Sequence, residues 1–190
     1  MKQLALDIGL ASGPTLARFF AGPNEAALQH LRLWAGEGSQ PDTRSPVPTY
    51  LWGEAGSGKT HLLKAVRQAL SDQGASVGWL DASVASAAEF DERWAAVVLD
   101  DVHLYSTAQQ AMAFNWFVNA ISPANGAPRW VLAAGNLPPA DLPLRDDLRS
   151  RLGWGHVFQL QLLGEAERRA VLRQEADARG VFLGDEVMDY

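Results

Sequence analysis

The sequence predicts an α/β fold, a layered sandwich of helices on a mainly parallel sheet. Three observations predict it. Short apolar strands alternate with helical stretches along most of the chain. The run Ala95-Ala96-Val97-Val98-Leu99 has no polar face, as a central strand covered on both sides requires. A glycine-rich turn, Gly53 to Gly58, stands between a strand and a helix.

Residues 1–23 form an arm rich in Gly, Pro and small side chains. Asn24 is placed to cap a helix reaching about Ala35, whose Ala27, Leu28, Leu31 and Trp34 recur at helical spacing. Glycines and prolines make Gly36 to Pro48 a loop. Tyr50 to Trp52 is a short strand, followed by the turn and a helix from about Lys59 to Leu70. Val77 to Leu80 is the second strand, and Asp81 to Trp94 separates it from the third, Ala95 to Leu99. A helix then runs from Thr107 to Ile121 with Phe114, Phe117, Val118 and Ile121 on one face. Trp130 to Ala134 is the fourth strand and Val157 to Leu160 the fifth. From Gly164 the pattern is helical only, with Glu165/Arg169 and Glu175/Arg179 paired as on an exposed face, and Gly184 to Tyr190 opens another helix.

Of 190 residues, 47% are hydrophobic and 20% charged, which excludes a largely disordered chain. The net charge of −6 speaks against a protein that grips duplex DNA by itself. The absence of cysteine excludes disulfides and thiolate metal sites. His30, His61, His103 and His156 are too scattered for a recognisable metal motif. With no apolar run of about eighteen residues and no signal-peptide core, a soluble, cytoplasmic protein with no membrane partner is expected.

Gly53-Glu54-Ala55-Gly56-Ser57-Gly58-Lys59-Thr60 satisfies G-x-x-x-x-G-K-[ST]. Glycines let successive backbone amides point at a phosphate, and the helix start adds partial positive charge. Lys59 is expected to reach the β and γ phosphates and Thr60 to ligate Mg²⁺, and the nucleotide-binding set extends to His61. A chance match in such a chain is on the order of one in a hundred.

Asp100-Asp101 follows the apolar third strand, where two carboxylates are costly unless they meet solvent, metal or a partner. Beside a phosphate loop, Asp100 is expected to hold Mg²⁺ and Asp101 to orient or polarise a water. Asn136, after the fourth strand, is either a γ-phosphate contact or an ordinary loop asparagine.

Leu148-Arg149-Ser150-Arg151-Leu152-Gly153-Trp154-Gly155 follows these motifs, and a pair of arginines near a sheet edge is normally solvated. In this order, however, the set resembles the AAA+ module of the bacterial replication initiator family DnaA, which has a similar S-R-[FL]-G-W-G segment. Thr15 to Asn24 is likewise similar to that family's T-F-x-x-F-x-x-G-x-N, an arm that wraps the adenine. The resemblance covers nearly the whole chain. It implies a three-layer αβα AAA+ P-loop nucleotide-binding module over 24–163, with a parallel five-stranded sheet, then a partial α-helical lid over 164–190. It also implies ATP or ADP with Mg²⁺, and Arg151 as an arginine finger inserted into a neighbouring subunit's site, in a homo-oligomer or with a partner.

Three departures from the full initiator matter: no helix-turn-helix domain follows the lid, only Asp81 to Trp94 separates strands two and three, and no N-terminal interaction domain precedes the arm. No direct sequence-specific DNA binding is therefore expected. A short protein of this shape resembles the Hda family of initiator-related regulators, which act with the DNA-loaded sliding clamp of DNA polymerase III on DnaA. That resemblance implies a clamp-binding peptide over 3–8, with Gln3 as polar anchor and Leu4, Leu6 and Ile8 as apolar anchors. Asp7 stands where that family commonly has proline, and a strand packed on the sheet is the other reading of this peptide. The lid's nucleotide-sensing arginine or lysine is not located before Tyr190. Two other function classes fit the same motifs: a self-contained ATPase or phosphotransferase, and an ATP-dependent helicase-loading adaptor.

Overall fold

The structure, a computed structural model, describes residues 13–36, 47–84, 89–124, 126–178 and 180–181. The candidate clamp peptide, Arg179 and the helix expected from Gly184 lie outside the described residues.

Among the described residues, five α-helices and five strands appear in the order α1 (Glu25–Ala35), β1 (Thr49–Trp52), α2 (Lys59–Asp72), β2 (Ser76–Leu80), β3 (Trp94–Leu99), α3 (Thr107–Ile121), β4 (Trp130–Gly135), α4 (Asp146–Leu152), β5 (His156–Gln159) and α5 (Glu165–Ala178). All strand pairs are parallel, in the spatial order β2-β3-β4-β1-β5. Side-chain alternation divides the core into two layers. Leu51, Ala96, Val98, Leu132 and Ala134 pack under α1 and α2. Their neighbours Tyr50, Val97, Leu99, Val131 and Ala133 pack under α3 and α4. The three-layer α/β sandwich is thus the one the sequence predicts. Among the described residues, no helix is long and apolar enough to cross a membrane.

Several local readings shift. Asn24 occupies the cap position of α1 but makes no side-chain capping hydrogen bond. Its side chain instead spans the fold: Nδ2 donates to the Gln161 carbonyl at 3.0 Å, and Oδ1 accepts from the Gln161 amide at 2.8 Å. On α3 the buried apolar side chains are Ala113, Trp116, Phe117 and Ala120, while Phe114, Val118 and Ile121 are half-buried. Small alanines let the helix approach the sheet, and they turn the buried face away from the one that bulky residues alone suggest. The arginine string, expected near a sheet edge, lies largely on α4.

The fifth strand begins one residue early, and its start depends on Gly155. A Cβ there would lie 1.9 Å from the Pro48 carbonyl oxygen. That close approach lets the His156 amide donate to Pro48 O at 2.8 Å, so pairing with β1 begins at Thr49↔His156. Arg169 Nη2 donates to Glu165 Oε1 at 2.7 Å, the helical pair that the spacing predicts.

α1 is tied to this sheet edge by His30, whose Nε2 lies 2.8 Å from Thr49 Oγ1 and whose ring contacts His156 and Phe158 at 4.6 and 4.9 Å. Burial, with His156 beside it, pushes the His30 imidazole down to about 4. The folded state therefore resists a proton that the unfolded chain takes up near pH 6.5. The stability at stake is fully present above that value and is lost as pH falls toward 4. We expect about 1–2 kcal/mol to disappear over this window, the full linkage value being reduced by solvent screening. His30→Gln should flatten the pH dependence of the urea midpoint between pH 6.5 and 4; an unchanged slope would refute the assignment.

Candidate functional site

The C-terminal ends of the parallel strands meet at one edge, and the polar motifs gather there. The phosphate-loop residues Gly53 to Gly58 lead from β1 into α2. Gly58 has φ +95°, and a Cβ on it would lie 2.8 Å from Phe19 Cε2, so loop and arm touch. Lys59 is only 5% exposed. Its Nζ donates to the carbonyl oxygens of Gly53 at 2.7 Å and Glu54 at 2.8 Å, with Ser57 Oγ at 3.4 Å. Burial lowers its affinity for a proton, and Asp101 and Asp100 oppose that. Glu54 and Ala55 are exposed at the loop's crest.

Asp100 is 3% exposed at the end of β3. Burial raises its carboxyl above the usual range, while a hydrogen bond with the Thr60 side chain works the other way. The two residues assigned to one Mg²⁺ line the same cavity. Among the described residues no cluster of three His, Asp or Glu forms a protein-only metal site. One hydroxyl and one carboxylate are hard oxygen donors that suit Mg²⁺ when phosphate and water supply the remainder. Asp101 has φ +50°, the single left-handed residue other than glycine among those described. Its amide donates to Asp100 Oδ1 at 3.0 Å. Asn136 directly follows Gly135, which pairs with Trp52 at the mouth of the loop, so the register sets it beside the loop.

Two cavities flank the start of α2, and Thr60 and Lys64 line both. The first, about 700 Å³, lies between arm, loop and α5, with Arg18, Phe19, Phe20, His61, Val171 and Glu175 in its wall. It offers aromatic faces beside a loop of amides, which can hold a planar base with an anionic tail. The second, about 570 Å³, is lined by Asp81, Asp100 and Asp101 with Arg67 and Trp79. Arg151 lines neither. It borders a separate cavity of about 250 Å³ with Phe117, Ile121 and the exposed Trp154.

Arg145, at the cap of α4, and the two arginines of α4 differ in their commitments. Arg145 binds both carboxylate oxygens of Asp147, at 2.6 and 2.7 Å. Arg149 Nη2 binds Asp146 Oδ1 at 2.6 Å. Arg151 has no ion pair with the described residues; its Nη1 donates to the Asp147 carbonyl at 3.2 Å, and its Cζ lies 4.8 Å from the Phe114 ring centre.

Two residues of the site escaped sequence reasoning. Gln109 Nε2 donates to the carbonyl oxygens of Asp81, Ala82 and Val84 at 3.3, 3.1 and 2.9 Å, and so fixes a wall of the second cavity. The signal was legible, because Ser106 and Gln109 form a capping box. His103, on the 3₁₀ turn after Asp101, has a buried Nδ1 without a hydrogen-bond partner and feels the charges of Asp101, Lys59 and Asp100. No spacing pattern marks it.

No protein-family model matches the chain. A Haemophilus influenzae protein described only as uncharacterized is 32% identical over 198 aligned residues, which span all of this chain and 81% of that protein. Domain III of the Thermotoga maritima replication initiation protein DnaA superposes with a TM-score of 0.71 at 20% identity, covering 98% of this chain and 80% of that one. AMPPCP-bound DnaA from Aquifex aeolicus gives 0.68 at 22% identity, over 93% of this chain. This chain spans 59% of the Aquifex chain. At these identities the likeness establishes that this chain shares the fold of those domains.

The contact between loop and arm can be isolated by comparing Gly58→Ala with Gly74→Ala. Gly74 has φ +80° with nothing within 4 Å of where a Cβ would stand, so alanine there meets only the backbone cost, about 1 kcal/mol. At Gly58 the same cost is joined by displacement of Phe19, and about 2–3 kcal/mol in total is expected from urea unfolding. Equal losses at both positions would show that Phe19 does not seat on the loop.

Proposed function

We propose that the chain, which belongs to the same family as the Haemophilus influenzae protein and shares the fold of DnaA domain III, is an adenine-nucleotide-binding AAA+ regulator of the Hda type. In this reading it binds ATP or ADP with Mg²⁺, acts with the DNA-loaded sliding clamp, and promotes hydrolysis of ATP held by the initiator DnaA, which prevents re-initiation. Such work places it in the cytoplasm. In this reading residues 1–23 serve as arm and clamp peptide, 24–163 as nucleotide-binding domain, and 164–190 as helical lid.

The observation that carries the reading is the state of Arg151. Arg145 at the cap of α4 and Arg149 on the helix are committed to carboxylates, while the Arg151 guanidinium has no ion pair with the described residues and lies away from both cavities of the phosphate loop. An arginine so placed is suited to a site on another molecule. Supplied in trans, it neutralises charge on the transferring phosphoryl group, an effect of about 10³ to 10⁵ in rate.

The chain's own nucleotide sets the shape that offers the finger. Lys59 exchanges the Gly53 and Glu54 carbonyls for phosphate oxygens, a swap of oxygen for oxygen that leaves the buried ammonium satisfied. Thr60 and Asp100 hold Mg²⁺, which neutralises phosphate charge when bound. Phe19, Phe20 and His61 enclose the base and ribose side. Asp101 orients water and Asn136 reaches the γ-phosphate. The complete loop and acidic pair also suit a second reading, a self-contained ATPase.

Hydrolysis of initiator-bound ATP, measured with clamp on DNA, decides between them. Arg151→Ala should return the rate to the initiator's unstimulated level without changing this chain's nucleotide affinity, and Arg151→Lys should not restore it. Vigorous turnover by the chain alone, unaffected by Arg151→Ala, would establish the ATPase instead. Deleting residues 1–8 should abolish clamp binding and leave nucleotide affinity within about twofold; an unfolded product would identify that peptide as a packed strand.

A further inference from the structure

Phe114 on α3 faces two guanidinium groups. Its ring centre lies 5.0 Å from Arg145 Cζ and 4.8 Å from Arg151 Cζ. One helical turn earlier, Gln110 Oε1 accepts from the Arg145 amide at 2.9 Å, and Gln110 Nε2 donates to the Tyr105 carbonyl at 3.0 Å. One face of α3 therefore grips the start of α4 through Gln110 and its cationic side chains through Phe114. Two like charges meet on one ring, and Asp147 offsets them, binding Arg145 through its carboxylate and Arg151 through its carbonyl.

We propose that Phe114 is a positioning residue for Arg151, holding the guanidinium oriented and available. The inference rests on the reading that Arg151 acts on nucleotide bound to a partner. A carboxylate in the ring's place would orient the guanidinium equally well, but it would occupy the planar fork and cancel the charge that the partner's phosphate needs. An aromatic face attracts the cation through its quadrupole and takes no N–H donor. Only Nη1 is engaged, by the Asp147 carbonyl, so the other donors of Arg151 stay open to phosphate. Arg145 is tied down by Asp147 and Gln110 and acts as the fixed side of the clamp.

The test uses the full chain with Phe114→Leu, Phe114→Trp and Arg151→Ala, and two readouts. In the free protein, the Nε–H protons of Arg145 and Arg151 should move downfield in Phe114→Leu as the ring current is lost. In the initiator assay, Phe114→Leu should lower the maximal stimulated rate roughly three- to thirty-fold, while the concentration for half-maximal stimulation stays within about twofold. Phe114→Trp, which keeps a π face, should recover most of the rate, whereas a purely structural role would not favour tryptophan. A normal maximal rate in Phe114→Leu where Arg151→Ala abolishes stimulation overturns this inference alone. Failure of tryptophan to rescue, or unmoved Nε–H resonances, does the same. Stimulation that survives Arg151→Ala removes the functional reading and this inference with it.

Discussion

The buried ammonium of Lys59 is the constraint around which the site is arranged. A lysine that is 5% exposed must have its donors satisfied, and in this fold the oxygens come from the loop that its own helix follows. Closing the loop on Lys59 requires the chain to reverse within six residues, from Gly53 to Gly58, and that requirement explains the glycines more directly than any preference for loops. The compensating charge lies across the site, where Asp100 and Asp101 favour the protonated lysine. The aspartates are held in turn: Asp100 by the Asp101 amide, and Asp101 by a left-handed backbone that redirects the chain into the turn bearing His103. Each member of the group is costly alone, and the group is tolerable because its members answer one another.

What brings these residues together is the strand order. β1 lies between β4 and β5, and β4 lies between β1 and β3. Residues 53, 100 and 136, far apart in sequence, thus follow three adjacent parallel strands at the same sheet edge. Much of this was legible. The apolar run Ala95 to Leu99 could only be a strand covered on both faces, and the loop pattern fixes which strand precedes which helix. The strand order itself was beyond reach of a single sequence, and so was any statement of which strand ends are neighbours.

The misreadings share a cause, which is that local signals were outweighed by contacts far along the chain. Asn24 has the chemistry of a cap, yet its amide bonds to the backbone of Gln161, so it ties the arm to the strand exit rather than serving its own helix. The face of α3 was judged from bulky side chains, while the sheet selects Ala113 and Ala120 because close approach there needs small ones. α4 went unread because its seven residues carry two aspartates and two arginines and only two buried leucines, too few for an apolar period. Its stability comes from the Gln110 contact, from Asp146 and Asp147 in its first turn, and from Arg149 and Arg151 in its last.

That charge arrangement bears directly on what α4 can present. Its acidic first turn and basic last turn suit the helix dipole, but they also set up a competition for carboxylates. Asp147 is reached by Arg145 from the residue before the helix and Asp146 by Arg149, and each pairing is favoured by proximity along the chain. Arg151 is one turn from Asp147 and would have been its helical partner had Arg145 not taken both carboxylate oxygens. The bidentate pair on Arg145 is therefore what leaves Arg151 uncommitted. Its guanidinium is left without an ion pair among the described residues, beside the exposed Trp154. Arg151 is half-buried, so its charge keeps part of its hydration. The fold gives up little stability by holding this one in reserve, and any site that desolvates it gains a far stronger field than it exerts in the free chain.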